Sequence, residues 1–581
     1  MVLKNNRLFF ISLLSIFFVA LLLRLPGAIF PPREYLYETI EEGVLRTVLT
    51  LFAGQLPWGL TLWSVGIVSM PLVLIYALVF AIIKPLAIIN LLQYNSGLFI
   101  KEFSIYIAEA FLNPTRHLIV GRIFVAIITS FAPLAIFEFF RKKGKITAAF
   151  FSAIAFLSSP FFVKHSYSLM PDAIGLTFFT FSLLTMIGQE HLSSRKILIG
   201  GIFLGLAIAG KFPYVAFLPA ALIIICLNEP GISIKTFPNL IRNILIFTAG
   251  LVIPIFIFIP FIWTAPLTLA KNILGVLITD FSQGNTSWRY LLLGIIPVFI
   301  NWLELAFCII GFCLSFVVLD KKTSILLVLS FLLFFIPQGQ ASLIEPRHAL
   351  PTMIFLYIFA GIGIDSTSFL RKNNFKTILI ILIIGTVFIF NLAGLIKDFK
   401  ATHDNTNVID SINWVKKNTN PGSAIAIPES LHFFFIPNEA TLERWIKASS
   451  KSQDDIDIEL NKLFAKARMK YDVFNDDNPL IPSVFCALER QKIFIYKILL
   501  WYSKNAYRPK INYDLFLYDS KIQYNRGNIL KTEEILTLFQ ENKIDVFVSD
   551  EYLSVISPTR ILRFNRYPGK TYFVYCKETR K

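Results

Sequence analysis

Residues 1–400 alternate between long apolar runs and short polar turns. The apolar runs lie near 8–30, 118–140, 147–163, 173–188, 197–210, 213–227, 244–263, 290–318, 324–338, 349–365 and 377–396. A helix that crosses a bilayer needs roughly 17–25 such residues. The runs therefore predict an α-helical polytopic membrane domain over 1–396, with 11–13 transmembrane helices. Past residue 396 the pattern changes. NTNVIDSINWVKKNTN (405–420) reads as an amphipathic helix and AIAI (424–427) as a short strand. EEILTLFQENKIDVFVSD (533–550) reads as helix, turn and buried strand. Alternation of this kind predicts a soluble α/β domain over 397–581.

Composition narrows the class. Hydrophobic residues make up 55%, charged residues 16%, and the mean hydropathy is +0.63, which excludes a disordered chain and an ordinary soluble protein. Five cysteines exclude a disulfide scaffold. Cys486 and Cys576 fall in the soluble segment, and their spacing fixes no pairing. The net charge of +17 would suit nucleic acid if it formed a stripe on a soluble domain. It does not: residues 401–581 hold 26 Lys/Arg against 22 Asp/Glu. The excess sits in turns between apolar runs, at Arg141, Lys142, Lys143 and Lys145, at Arg195 and Lys196, at Lys235 and Arg242, at Lys321 and Lys322, and at Arg371, Lys372 and Lys376. This is the positive-inside signature of a multi-pass protein.

Charge placement also orients the chain. The first run follows Lys4 and Arg7 and carries no small-residue cleavage site, so it reads as a retained span with a cytoplasmic N-terminus. The turn RKKGK (141–145) must then be inside, and residues 31–117 form a first outer loop. Within that loop 59–92 is strongly apolar, and parity allows it two crossings or none: a hairpin, or helices lying at the interface. Counting on from 141, the chain leaves its last span on the outside, which places 397–581 beyond the cytoplasm of an inner (plasma) membrane.

Parity collects the unusual polar residues on the outer face. The first loop carries Glu34, Glu38, Glu41 and Glu42; later outer turns carry His165 and Asp172, Lys211, Asp280 with Trp288 and Arg289, and Arg347 with His348. A carboxylate there can take a proton from an acceptor hydroxyl. Lys and Arg there can hold a phosphate leaving group. Simpler roles compete: a Lys or Arg at a span end snorkels, a loop Glu solvates an amphipathic helix, Asp172 caps the helix it opens, and His165 is a structural histidine.

The stretch GRIFVAIITSFAPLAIFEFFRKKGKITAAFFSAIAFLSSPFFVKHSYSLMPDAIGLTFFTFSLL (121–184) resembles the GT-C superfamily of membrane glycosyltransferases. The group it resembles most is related to protein O-mannosyltransferases and the lipid A aminoarabinose transferase. GIFLGLAIAGKFPY (201–214), RHALP (347–351) and VIDSINWVKKNTNPGSAIAI (408–427) continue the resemblance in order. It implies transfer of a sugar from a polyprenyl-phosphate carrier to a glycan, lipid or protein acceptor outside the cytoplasm, with inversion. It also implies a catalytic acid in the first outer loop, followed by Gly and Pro. Glu41 and Glu42 precede Gly54 and Pro57 at that spacing, but Glu stands where the family usually has Asp, and Glu38 or Glu34 fits nearly as well. Asp172 matches the second acidic position, and Lys211 and Arg347 match positions near the carrier phosphate, with His165, His348 and Glu38 as further substrate contacts. No Gly-rich nucleotide loop is present and no cofactor is expected; distant relatives use a divalent cation, but no cluster here demands one. Two other readings remain. A transporter or flippase would place charges at the bilayer midplane, and a non-catalytic scaffold would use the external domain to bind a partner.

Overall fold

The computed structural model describes residues 6–29, 39–53, 61–92, 96–112, 115–187, 192–228, 237–259, 262, 288–340, 346–366, 374–403, 406–420, 423–428, 438–447, 495–501, 503–504, 514–518, 529–530, 537–538, 540–541, 546–549, 560–564 and 572–576. The apolar runs read from the sequence are helical over most of their described residues, with interruptions at 130–131, 159, 259 and 300–301. In chain order the helices are α1 (Asn6–Ile29), α2 (Thr39–Phe52), α3 (Thr61–Ile83), α4 (Pro85–Leu92), α5 (Ser96–Leu112), α6 (Thr115–Thr129), α7 (Ala132–Lys142), α8 (Ile146–Ser158) and α9 (Pro160–Tyr167). They continue with α10 (Pro171–Ile187), α11 (Ser194–Gly210), α12 (Leu218–Asn228), α13 (Phe237–Phe258), α14 (Trp288–Phe299), α15 (Trp302–Val318), α16 (Lys321–Gln340), α17 (Leu350–Ser366), α18 (Asn374–His403) and α19 (Thr406–Asn418).

Among the described residues seven helices are long and apolar enough to cross a membrane, and nine if each of two bent pairs counts as one span. The expected 11–13 included the shorter helices 171–187, 194–210 and 212–228, which fall below the length of a straight span. The reading of a helical multi-pass membrane protein with a C-terminal α/β segment is borne out. Two compact units make up the chain: residues 1–30, 61–70 and 119–398, and residues 31–60, 71–118 and 399–581.

The first unit is a helical bundle whose helices approach closely through small residues. Without a hydrophobic force between helices in lipid, close backbone packing holds them together. Gly311 on α15 lies against the Phe359 carbonyl of α17, and Gly363 on α17 lies against the Phe307 carbonyl of α15. Gly201 and Gly205 on α11 face the Phe247 and Leu251 carbonyls of α13 in the same way. Helix α17 is apolar all round, and every residue from Leu350 to Asp365 is buried. A helix of that kind belongs at a bundle's centre.

Two expected straight runs are in fact bent. The run 147–163 breaks at Ser159–Pro160, with 59° between α8 and α9. The run 290–318 breaks at Ile300–Asn301, with 113° between α14 and α15. At the first, Pro160 takes the opening position of a new helix and Ser159 accepts from the Phe162 N–H. At the second, Asn301 and Glu304 form a reciprocal capping box that starts α15. The two breaks are pinned to each other. Ser159 Oγ donates to the Phe299 carbonyl over 3.3 Å, and Tyr357 Oη donates to the same carbonyl over 2.6 Å. Asn391 on α18 donates to both Glu304 Oε1 (3.0 Å) and Ser158 Oγ (3.2 Å). Backbone groups freed by a broken helix at membrane depth need such partners.

The turn between α7 and α8 uses Gly144 at φ +71°, a left-handed conformation that favours glycine. Around it Lys143 reaches Asp320 (3.0 Å) and Lys145 reaches Asp365 (3.1 Å). Burial pushes the Asp320 carboxyl up. Hydrogen bonds from the Thr323 N–H and hydroxyl and from Lys143 outweigh that and hold it at about 2.

In the second unit the end of α3 packs on α5: Phe80 meets Phe99, Phe103 and Tyr106, while Tyr76 Oη donates to the His117 carbonyl (2.7 Å). Within 59–92 the one helix of span length among the described residues is 66–83, so the run is neither a two-crossing hairpin nor a full set of interfacial helices where it is described. Strands β1 (Ala424–Pro428), β2 (Asp514–Tyr518), β3 (Ile529–Leu530), β4 (Val546–Ser549), β5 (Arg560–Phe564) and β6 (Tyr572–Cys576) form one sheet in the order β3-β2-β1-β4-β6-β5. Strands β3, β2, β1 and β4 run parallel, and β6 and β5 close the sheet antiparallel. Central β1 is apolar, and Ile425 and Ala426 are fully buried, as a strand with partners on both sides requires. Helix α19 packs on β5 and β6. Cys486 lies outside the described residues, so its pairing with Cys576 does too.

Candidate functional site

Asp172 and Lys211 form the centre of the site. Helix α10 opens with Pro171 and Asp172, and α11 ends at Gly210 with Lys211 as its C-cap. The carboxylate therefore stands at a helix N-terminus and the ammonium at a helix C-terminus, where each dipole favours that charge. Glycines bring the two ends together. A Cβ on Gly210 would lie 2.9 Å from the Gly175 Cα and 3.3 Å from the Pro171 carbonyl, so no larger residue fits without separating α10 from α11. Lys211 Nζ donates directly to Asp172 Oδ1, with side chains 14% and 7% exposed, so neither charge is left to bulk water. Tyr214 Oη donates to the Asp172 carbonyl over 3.5 Å, and its ring is fully buried against Phe179.

Three other expected residues join this pair. Arg347 and His348 lie on the single turn Pro346–Ala349 that leads into α17. Gln338 of α16 fastens that turn, donating to the His348 carbonyl (3.2 Å) and accepting from Thr352 Oγ1 (2.5 Å). His165, in the last turn of α9, packs at a tilt against Phe161 with ring centroids 4.4 Å apart. Asp172, Lys211, Arg347 and His165 all lie within electrostatic reach of one another, as do His348, Lys211, Arg347 and Asp172. Lys211, Arg347 and, beside His165, Lys164 thus stand with one carboxylate among the described residues, an excess of positive charge. Such a place suits an anion with a greasy attachment.

Glu41 lies on α2 and is 1% exposed, on the same helical face as buried Val44, Leu45 and Val48, in the second unit. Glu42 is in the same helix, but its side chain lies outside the described residues, as do Glu34 and Glu38 altogether. Glu41 is thus not a solvated loop acid, which the sequence allowed. Sequence reading passed over Tyr214 and Gln338; a polar residue directly after a proline at the end of an apolar run was the available signal for Gln338. No three His, Cys, Asp or Glu side chains converge as a metal-ligand set among the described residues.

Residues 103–263 match the family described as dolichyl-phosphate-mannose-protein mannosyltransferase. The resemblance to the GT-C superfamily of membrane glycosyltransferases is borne out. The matched segment contains the 141–145 turn, His165, Asp172 and Lys211. Arg347 lies beyond it. No curated protein matches the chain. Among solved structures, ArnT from Cupriavidus metallidurans bound to undecaprenyl phosphate is similar at 12% identity, over 81% of this chain and 86% of that one, with a TM-score of 0.42. The archaeal oligosaccharyltransferase AglB from Archaeoglobus fulgidus, in complex with an inhibitory peptide and a dolichol-phosphate, is similar at 12% identity, over 73% and 63%, with a TM-score of 0.38.

Proposed function

We propose that this GT-C protein transfers a sugar from a polyprenyl-phosphate carrier to an acceptor on the outer side of the plasma membrane, with inversion at the sugar's anomeric carbon. The observation that carries this reading is the buried Asp172–Lys211 pair with Arg347 and two histidines around it. Arg347 and Lys211 take the carrier's phosphate and neutralise the charge that grows on it as the C1–O bond breaks. Asp172, whose described partner is Lys211, sets the position of that ammonium rather than touching the acceptor. A first-loop glutamate, Glu41 or Glu42, takes the proton of the acceptor hydroxyl as its oxygen attacks from the face opposite the phosphate. His165 and His348 line the phosphate's surroundings. The charges of this cluster stand at helix ends, which favours this reading over a transporter.

The test is release of polyprenyl phosphate from a panel of polyprenyl-phosphate sugars by the purified protein in nanodiscs, with crude envelope acceptor. Sugar-dependent release, abolished in Arg347→Ala and reduced at least a hundredfold in Glu41→Gln/Glu42→Gln, is expected. Release that both variants retain would overturn the assignment.

A further inference from the structure

A second buried cation lies inside the first span, on a helix that carries none of the site residues above. Arg24 on α1 is 0% exposed and is the largest fully buried side chain of the described residues. Its Nη1 donates to the Ala20 carbonyl over 2.5 Å, and its guanidinium carbon lies 5.0 Å over the ring of Phe162. Nε and Nη2 are enclosed and have no hydrogen-bond partner. These two nitrogens are not a random remainder. They form the side edge of the guanidinium, where two parallel N–H groups meet the two oxygens of a phosphate or carboxylate. The Ala20 carbonyl and the Phe162 ring fix the plane and leave that edge unmatched. A buried charge without a counter-ion destabilises a fold, and a membrane protein that keeps one inside a span generally uses it.

The surroundings say which anion. Phe162 sits on α9, the short helix that also carries His165, and α9 joins α8 at the 59° bend. One turn beyond Arg24, the Gly27 carbonyl accepts from Arg122 Nη1 (3.4 Å), and Gly27 lies flush against the Tyr167 ring of α9. Arg24 thus faces α9 from one side while the Asp172–Lys211 cluster meets His165 of the same helix. With apolar walls on this part of α1, an anion arrives here only on a membrane-soluble molecule.

We propose that the Nε/Nη2 edge of Arg24 is a second oxyanion subsite, which grips a lipid-borne phosphate beside α9. It shares with the proposed function only the lipid-phosphate ligand, and Lys211 and Arg347 are separate cations.

The test uses the full chain in detergent, with undecaprenyl phosphate, undecaprenol and inorganic phosphate as probes, and reads both the ligand-free unfolding temperature and the binding constant. Arg24→Met keeps the length and removes the charge. Its ligand-free protein is expected to unfold at a higher temperature than wild type, because an uncompensated charge is gone, while its affinity for undecaprenyl phosphate falls at least tenfold and that for undecaprenol is unchanged. Arg24→Lys, which keeps the charge and loses the fork, is expected to fall between the two. Wild-type affinity for undecaprenyl phosphate in Arg24→Met overturns the proposal. So does a lower ligand-free unfolding temperature, since that marks Arg24 as a structural pin, and so does inorganic phosphate binding as tightly as the lipid. Lys211→Met and Arg347→Ala run alongside: loss of lipid-phosphate binding in these but not in Arg24→Met sinks the subsite and leaves the catalytic reading standing, and the reverse pattern does the opposite.

Discussion

Replacing Asn391 by Leu removes the centre of the network that joins the two helix breaks. Its amide nitrogen donates to Glu304 Oε1 and Ser158 Oγ, and its oxygen accepts from Asn301 Nδ2 (3.3 Å). Asn391 is 4% exposed and Glu304 0%, so water does not take over these bonds. Some partners survive the change: Ser158 keeps its bond to the Ile154 carbonyl (2.7 Å), and Glu304 Oε2 keeps the Asn301 N–H (2.9 Å). The loss therefore falls on one carboxyl oxygen and one amide. A buried polar atom stripped of its partner costs about 1–3 kcal/mol. Hydrogen bonds between membrane helices average only about 0.6 kcal/mol, because the unfolded chain in lipid also finds partners. The carboxyl oxygen belongs at the upper end of that range and the amide at the lower, so Asn391→Leu is expected to cost about 2–3 kcal/mol. Adding Glu304→Leu removes the orphaned acceptor, and the double variant is expected to recover at least half of the combined single losses. Equilibrium unfolding of the wild type, both single variants and the double variant in mixed micelles closes the cycle. A loss below about 1 kcal/mol for Asn391→Leu, or a double variant as unstable as the two single losses added, would refute the idea that this network holds the breaks.

Gly311→Leu would drive a side chain into the Phe359 carbonyl and toward the Gly363 nitrogen (2.6 Å from a Cβ), and should cost about 1–3 kcal/mol or more, read as a lower unfolding temperature; an unchanged one would show that α15 and α17 are not in backbone contact. Lys211→Met strands the buried Asp172 carboxylate and should cost about 3–5 kcal/mol, much of it restored in Lys211→Met/Asp172→Leu; equal instability of the two variants would argue against a paired site. The Asp320 carboxyl is held below its unfolded value of about 3.9, so its contribution is full above that pH and is lost as pH falls through about 2. The gap in unfolding temperature between wild type and Asp320→Asn should therefore be present at pH 6 and shrink on acidification; it will be small, because that side chain is 56% exposed, and a gap that widened would reverse the sign of the argument.

Helix existence was legible wherever apolar runs were long, because burial in lipid leaves the backbone no other way to satisfy itself. Continuity was not. The run 290–318 read as one span because its apolar pattern hides a turn, although Asn301 followed by Glu304 three residues later is a capping box that local inspection could have found. Ser159–Pro160 was visible, yet a proline alone does not tell a kink from an end. The cluster of His165, Asp172, Lys211, Arg347 and His348 was legible because charge parity put all five on one face, and side is a property that loops report. Which first-loop glutamate acts was not, since it depends on the face each side chain takes rather than on spacing. Arg24 and Glu304 escaped for the opposite reason: each is one polar residue inside an apolar run, where hydropathy averages it away.

The burial of α17 on every side bears on how the protein is made. A span with no lipid-facing surface gains little from entering the bilayer before its neighbours are in place. The helices against which it packs, α8, α10, α15 and α16, all precede it in the chain and are synthesised first. The order of the gene is thus an order of assembly: a slot is built, and the axle is threaded into it late. Nascent chains that stop short of Leu350 would display that slot open to lipid, a ready mark for the machinery that removes unfinished membrane proteins.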